Sequence, residues 1–162
     1  MIVVSDTSPI LNLVRVRRLD LLASLYGQVL IPLAVYAELN VLRGDSSEGV
    51  GLAASSWLVT ESPKNEELVL QLRGSLDAGE AEAIVLALER KANLLLVDEK
   101  LGRAAAKTFG LRITGLLGVL AEAKQAHLIE CVKPVLDELI TKARFWVSPE
   151  LYHEVLTTLD EM

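Results

Sequence analysis

Cysteine is almost missing from this 162-residue chain, and the single Cys131 excludes an intramolecular disulfide. The fold must rest on burial alone, and a reducing compartment with Cys131 as a small hydrophobe is the expected setting. Aromatic residues are only 4% of the chain although 51% of it is hydrophobic, so the core must be aliphatic. Two histidines beside one cysteine supply a zinc-type site poorly. Positive charge is the minority sign: 16 Lys and Arg face 22 Asp and Glu, a net charge of −6. That balance argues against gripping a polyanion through a general positive field. No apolar run approaches membrane-spanning length. The opening Met1-Ile-Val-Val-Ser-Asp6 has no basic leader and is broken at Asp6 and Pro9, so a signal peptide is not expected. The expectation is a cytoplasmic protein with no membrane partner.

What the chain has is hydrophobicity in short, punctuated runs. Its mean hydropathy of +0.37 is high for a soluble monomer of this size, which predicts an apolar surface covered by a second subunit, and hence a homodimer. The length suits one domain over 1–162, with no linker and no repeat. Ile2-Val-Val4 reads as a buried strand ending at Ser5-Asp6, and Ser8-Pro9 as an N-cap with proline at the first helical position. A helix is expected from Ile10 to about Leu25, interrupted near Arg17 and Arg18, then a strand at Val29–Ile31 and a helix opened by Pro32. Residues 44–56 read as a loop passing into a small-residue turn of helix, and Trp57–Thr60 as an edge strand. Glu66–Arg73 follows as an amphipathic helix. Asp77 with Glu80 makes a capping-box pattern for a helix to about Lys91. Leu94–Val97 is the strongest strand. A helix over Lys100–Phe109 ends at Gly110, a strand spans Leu111–Thr114, and helices cover Gly115–Gln125, Pro134–Lys142 and Pro149–Leu159.

Short apolar strands alternating with helices imply parallel pairing in an α/β fold, a three-layer α/β/α sandwich with a short-stranded, mainly parallel sheet. Sites in such sheets gather at the carboxyl ends of the strands. Asp6 ends the first strand, and Asp98 with Glu99 ends the strongest one. Glu80 lies in the first turn of the helix leading into that strand. Glu38 sits a turn and a half after Pro32. Carboxylates gathered at one edge repel unless cations neutralise them, and oxygen-only donors suit Mg²⁺ or Mn²⁺. Lys100, Arg103 and Lys107 fall on one helix face just after Asp98, and Arg15, Arg17 and Arg18 form a second basic group; either suits phosphate binding.

Ser5-Asp-Thr-Ser-Pro9, Val35-Tyr-Ala-Glu38, Leu76-Asp-Ala-Gly-Glu80-Ala-Glu-Ala-Ile84 and Leu94-Leu-Leu-Val-Asp98-Glu99-Lys100-Leu-Gly-Arg103, in that order, resemble PIN domains. More narrowly they resemble the DUF3368 subgroup, which is similar to VapC-type toxins. The resemblance extends over most of the chain, including Thr114-Gly-Leu-Leu-Gly118. It implies a Mg²⁺- or Mn²⁺-dependent ribonuclease acting on single-stranded RNA, plausible as the toxin of a toxin–antitoxin pair with a cognate antitoxin. The implied acidic cluster is Asp6, Glu38, Glu80 and Asp98, with Thr7 or Ser8 and Thr114 as supporting polar groups. The subgroup commonly has Asp-Asp where this chain has Asp98-Glu99, so either is open as the direct metal ligand, with Asp98 favoured.

Blander readings stand beside these. Asp6 and Asp98 would serve as caps, Glu80 as a capping-box partner, Glu38 as an ordinary helix residue and Glu82 as a solvated one. The Lys100 stripe would be a wet helix face, His127 and His153 surface or packed residues, and Trp57 and Trp146 packing anchors rather than base-stacking platforms. Two other functions compete. One is a non-catalytic PIN-like RNA- or protein-binding module. The other is a phosphatase of the haloacid dehalogenase type, which the Ser8 in place of a second Asp disfavours.

Overall fold

The computed structural model describes residues 1–43 and 56–162; the expected loop over 44–56 falls almost wholly outside them, as does the side chain of Leu42. Five three- or two-residue strands form one sheet: β1 (Val3–Ser5), β2 (Val29–Ile31), β3 (Leu58–Thr60), β4 (Leu94–Leu96) and β5 (Ile113–Thr114). Their order is β3-β2-β1-β4-β5 and every pair is parallel. The described helices are α1 (Thr7–Arg15), α2 (Asp20–Tyr26), α3 (Leu33–Arg43), α4 (Glu66–Leu72), α5 (Ala78–Glu89), α6 (Lys100–Thr108), α7 (Leu116–Gln125), α8 (Lys133–Lys142) and α9 (Pro149–Thr158).

The strands are apolar on both faces because both faces are covered, as parallel sheets require. Successive side chains point to opposite sides. Val3, Val29, Ile31, Leu94 and Leu96 therefore enter one cluster with Ile10, Leu22, Leu120 and Leu136. Val4, Leu30, Leu95 and Val97 enter the other with Val69, Ile84, Leu86 and Ala106. Helices α1, α2, α7, α8 and α9 supply one outer layer, and α4, α5 and α6 the other. The expected α/β/α sandwich is the observed fold.

Two local expectations are corrected. Helix α1 begins at Thr7 with Asp6 as the capping residue, so Ser8 and Pro9 already lie inside the first turn. The proline is tolerated there because the first four N–H groups of a helix have no intrahelical acceptor. The strand thus runs into the helix with no loop, which holds Asp6 at the junction. Glu82, expected in solvent, accepts the Ala34 N–H at 3.1 Å and fastens α5 to the first turn of α3. The Ser148-Pro149 cap is as expected, with Ser148 Oγ accepting the Leu151 N–H at 3.1 Å. The break near Arg17 is also present. Arg17 adopts φ 57°, and the Arg17 and Arg18 N–H groups close the helix end on Val14 and Leu13. Among the described residues no helix is long and apolar enough to cross a membrane.

The strand order reverses at β1: the chain builds outward through β2 and β3, then crosses to β4 on the other side. The crevice at the carboxyl ends of β1 and β4 is the switch point where such sheets bind ligands. Both strands depend on Leu96, which is fully buried between Ser5 and Thr114 in register. Leu96→Ala should cost about 2–5 kcal/mol, which lowers the melting temperature by about 2–4 °C per kcal/mol for a domain of this size. Exposed Leu128→Ala should stay within about 0.5 kcal/mol. Urea and thermal melts of both variants check this.

Candidate active site

Asp6 is 4% exposed at the end of β1, and its N–H donates to the Leu96 carbonyl at 3.0 Å, tying it to β4. Next to it, Thr7 Oγ1 donates to Glu38 Oε2 at 2.6 Å. That contact aims a glutamate of α3 at the crevice, where residue spacing alone gave it no distinction. Both carboxylates meet above Gly79. A Cβ on that residue would lie 2.8 Å from Glu38 Oε1 and 3.2 Å from Asp6 Oδ1. A glycine in a helix is unfavourable by about 1 kcal/mol relative to alanine; here it makes room for two acids from other elements.

Asp77 caps α5, its Oδ1 accepting the Glu80 N–H at 2.8 Å. Among the described residues no hydrogen bond returns from the Asp77 N–H to the Glu80 side chain to complete the capping box. Glu80, 7% exposed, turns its carboxylate over α6, where a Cβ on Gly102 would lie 3.3 Å from Oε2. Gly79, Gly102 and Asp77 are thus site-forming residues to which the sequence reading gave no site role, Asp77 having been read only as a cap. The signal available for the glycines was their position inside helices.

Burial raises the Asp6 carboxyl to about 7; the Thr7 N–H opposes the shift, and the charges of Asp77, Glu38 and Glu99 add to it. Burial likewise raises Glu80 to about 8, reinforced by the charge and hydrogen bond of Asp77 and by Asp6 and Glu99. The charges of Asp77, Glu38 and Glu99 thus act on the buried carboxyls of Asp6 and Glu80. Among the described residues none of Asp6, Glu38, Glu80 and Glu99 is in an ion pair.

Asp98 is held differently. Its Oδ1 accepts the Leu116 N–H at 3.0 Å at the start of α7, close against Gly115. Burial raises its pKa, the Leu116 N–H and Arg103 lower it, and Glu99 raises it. Its Oδ2 is buried and has no hydrogen-bond partner among the described residues. Of the adjacent pair, it is Glu99 that shares the field of Asp6 and Glu80. The carboxylates surround the crevice rather than converging: among the described residues no three Asp, Glu, His or Cys side chains form a ready-made metal group. The donors nevertheless suit a hard divalent ion, being all oxygen, in excess negative charge, and including one orphaned atom.

Two clefts flank the acids, and Asp98, Phe145 and Trp146 line both. One, of about 490 Å³, also holds Arg103, Thr114 and Leu151. The other, of about 340 Å³, holds Ser8, Asn12, Glu99, Lys100 and Arg144. The basic stripe divides here. Lys100 faces a cleft, Arg103 turns inward to donate to the Val97 carbonyl at 3.0 Å, and Lys107 lines neither cleft. Arg15, Arg17 and Arg18 line neither cleft as well. Trp57 packs against the core as expected, whereas Trp146 is 81% exposed and is no packing anchor.

The family model DUF3368, described as a PIN domain, matches residues 2–161. Among solved structures, a PilT N-terminus domain protein of the hyperthermophilic archaeon Sulfolobus solfataricus P2 is similar, with a TM-score of 0.54 and 20% identity. The match covers 76% of this chain and 93% of that one, and it speaks for the fold alone. No curated protein matches the chain.

The raised acids fix the sign of a pH effect. In the folded, metal-free chain Asp6 and Glu80 hold protons that their unfolded counterparts release near pH 4. Their contribution is fully present below pH 4 and is lost as pH rises through about 7 to 8. In a chelator, the melting temperature should fall between pH 5 and pH 8. Asp6→Asn should flatten that fall and melt higher than the native chain at pH 8. A native chain that gains stability over this range would contradict the assignment.

Proposed function

This chain belongs to the DUF3368 family of PIN domains, and from that premise we propose that it is a divalent-metal-dependent endoribonuclease that hydrolyses phosphodiesters of single-stranded RNA. The family generally includes nucleases, and PIN domains are typically dependent on divalent metal. The observation that carries the reading is the pair of buried acids at the switch point, Asp6 and Glu80, raised by burial and then by neighbouring carboxylates, with neither in an ion pair among the described residues. Asp6, Glu80 and Glu99, with the orphaned Oδ2 of Asp98, would hold Mg²⁺ or Mn²⁺; Glu38 stands at the margin. When bound, the ion supplies activation of a water and stabilisation of charge on the departing oxygen.

The protein's own groups position the rest. Thr7 holds Glu38 in orientation through its 2.6 Å hydrogen bond. Asp77 fixes the first turn of α5 and so the height of Glu80. Lys100, at the start of α6 beside Glu99, binds a phosphate of the strand. Ser8 and Thr114 line the two clefts and supply polar contacts to the sugar-phosphate chain. No side chain acts as a covalent nucleophile.

As the toxin of a toxin–antitoxin pair, the protein would act in the cytoplasm as a homodimer, and a cognate antitoxin would restrain it. The dimer is supported by the mean hydropathy of +0.37 and by exposed Leu33, Tyr36, Val41 and Leu70. The unconverged carboxylates favour a second reading, a PIN-like module that binds RNA or a protein without cutting it.

An end-labelled, mixed-sequence single-stranded RNA separates the two. Native protein should cut it with Mg²⁺ or Mn²⁺ and not in chelator. Asp6→Asn and Glu80→Gln should each lose about 100-fold or more of the rate while remaining folded, since the ion supplies several kcal/mol. RNA binding without cutting or metal uptake would establish the binding module instead. Light scattering at micromolar concentration should return twice the 17.6 kDa chain mass; the monomer mass would remove the dimer.

A further inference from the structure

Trp146 lies outside the chemistry described so far, in the extended segment between α8 and α9. A lone exposed apolar side chain is ordinary on a protein surface, but this one is held in place. Arg144, at φ 56°, closes α8, and the Phe145 N–H donates to the Leu139 carbonyl at 3.0 Å. Phe145 and Val147 on either side pack partly into the core, so alternation along the segment throws the indole outward. The ring is therefore presented on a fixed backbone, and little further order is lost when something packs on it.

Its place is equally specific. Trp146 and Phe145 form the wall common to the two clefts, both of which contain Asp98. Arg144 and Lys100 share the smaller cleft with Ser8 and Glu99. Neither is in an ion pair among the described residues, and both face a cleft that Asp98 and Glu99 also line. A flat aromatic face that shares a cleft with two cations outside any ion pair, at the lip of an acidic crevice, complements a polyanion whose units carry their own flat faces.

We propose that Trp146 is a stacking platform for one base of single-stranded RNA beside the acidic crevice, with Arg144 and Lys100 holding the adjoining phosphates. The platform rests on the nuclease reading above and adds to it a means of gripping a strand irrespective of sequence, because every base offers a π-face. Only an unpaired base can reach the indole, so single strands are selected over duplexes.

The test uses a fluorescein-labelled single-stranded RNA of roughly 12 mixed nucleotides. Its binding is measured by anisotropy in chelator in the Asp6→Asn background, in which cutting is suppressed. Trp146→Ala should weaken binding by about tenfold and Trp146→Phe by much less, since stacking needs an aromatic face. With Asp6 intact, Trp146→Ala should raise KM about tenfold with kcat little changed. At 81% exposure the substitution leaves the melting temperature in place. Native-like RNA affinity in Trp146→Ala, in a protein that still cuts RNA, would reject the platform and leave the nuclease reading standing. A fall from dimer to monomer mass with RNA affinity unchanged would reject it in favour of a contact between copies. A native chain that neither binds nor cuts RNA would remove both.

Discussion

The site depends on the repulsion among carboxylates that the fold itself buries. Asp6 and Glu80 are almost fully enclosed, and each is raised first by loss of water and then by neighbouring acids. Burying like charges without partners is among the costlier arrangements available to a protein. Its persistence here in a chain with an otherwise well-packed aliphatic core marks the crevice as a place shaped for something other than stability.

The rest of the architecture can be read outward from that constraint. Parallel strands buried on both faces fix where β1 and β4 end, and the switch in strand order opens the crevice between them. With no loop between β1 and α1, Asp6 stays at the junction. Gly79 and Gly102 give up side chains so that Glu38, Asp6 and Glu80 can approach across three elements. Asp98, bound to the start of α7 and facing Arg103, frames the crevice from the other side. Lys100 and Arg144 line a cleft beside these acids, which reconciles an acidic protein with the polyanionic substrate proposed for it.

The layer order was legible because each strand is an unbroken apolar run ending in a polar residue, and buried parallel strands have that signature. Asp6 and Asp98 were legible for the same reason, as acids placed where the runs stop. Glu80 was ambiguous, since Asp77 and Glu80 spell a capping box and only the side-chain direction separates a cap from a site residue. Glu38 carried no local mark, because its role comes from a hydrogen bond across the fold to Thr7. The neighbours Asp98 and Glu99 could not be ranked by position; their different partners appear only once α7 is in place. The helix ends near Arg17, Lys91, His127 and Asp160 were legible to within a residue or two, although these residues take the left-handed conformation usually given to glycine. The exposure of Trp146 was invisible, since composition does not say which aromatic the core accepts.

Calorimetric titration of Mn²⁺ into the native chain at pH 7, repeated in buffers of different ionisation enthalpy, bears most directly on the buried acids as a cation site. Asp6 at about 7 and Glu80 at about 8 hold protons at that pH, so binding should release about one proton per ion. Glu80→Gln should reduce both affinity and proton release. Absence of binding heat in every buffer, or binding without proton release that Glu80→Gln leaves unchanged, would contradict the assignment of these carboxylates to a metal.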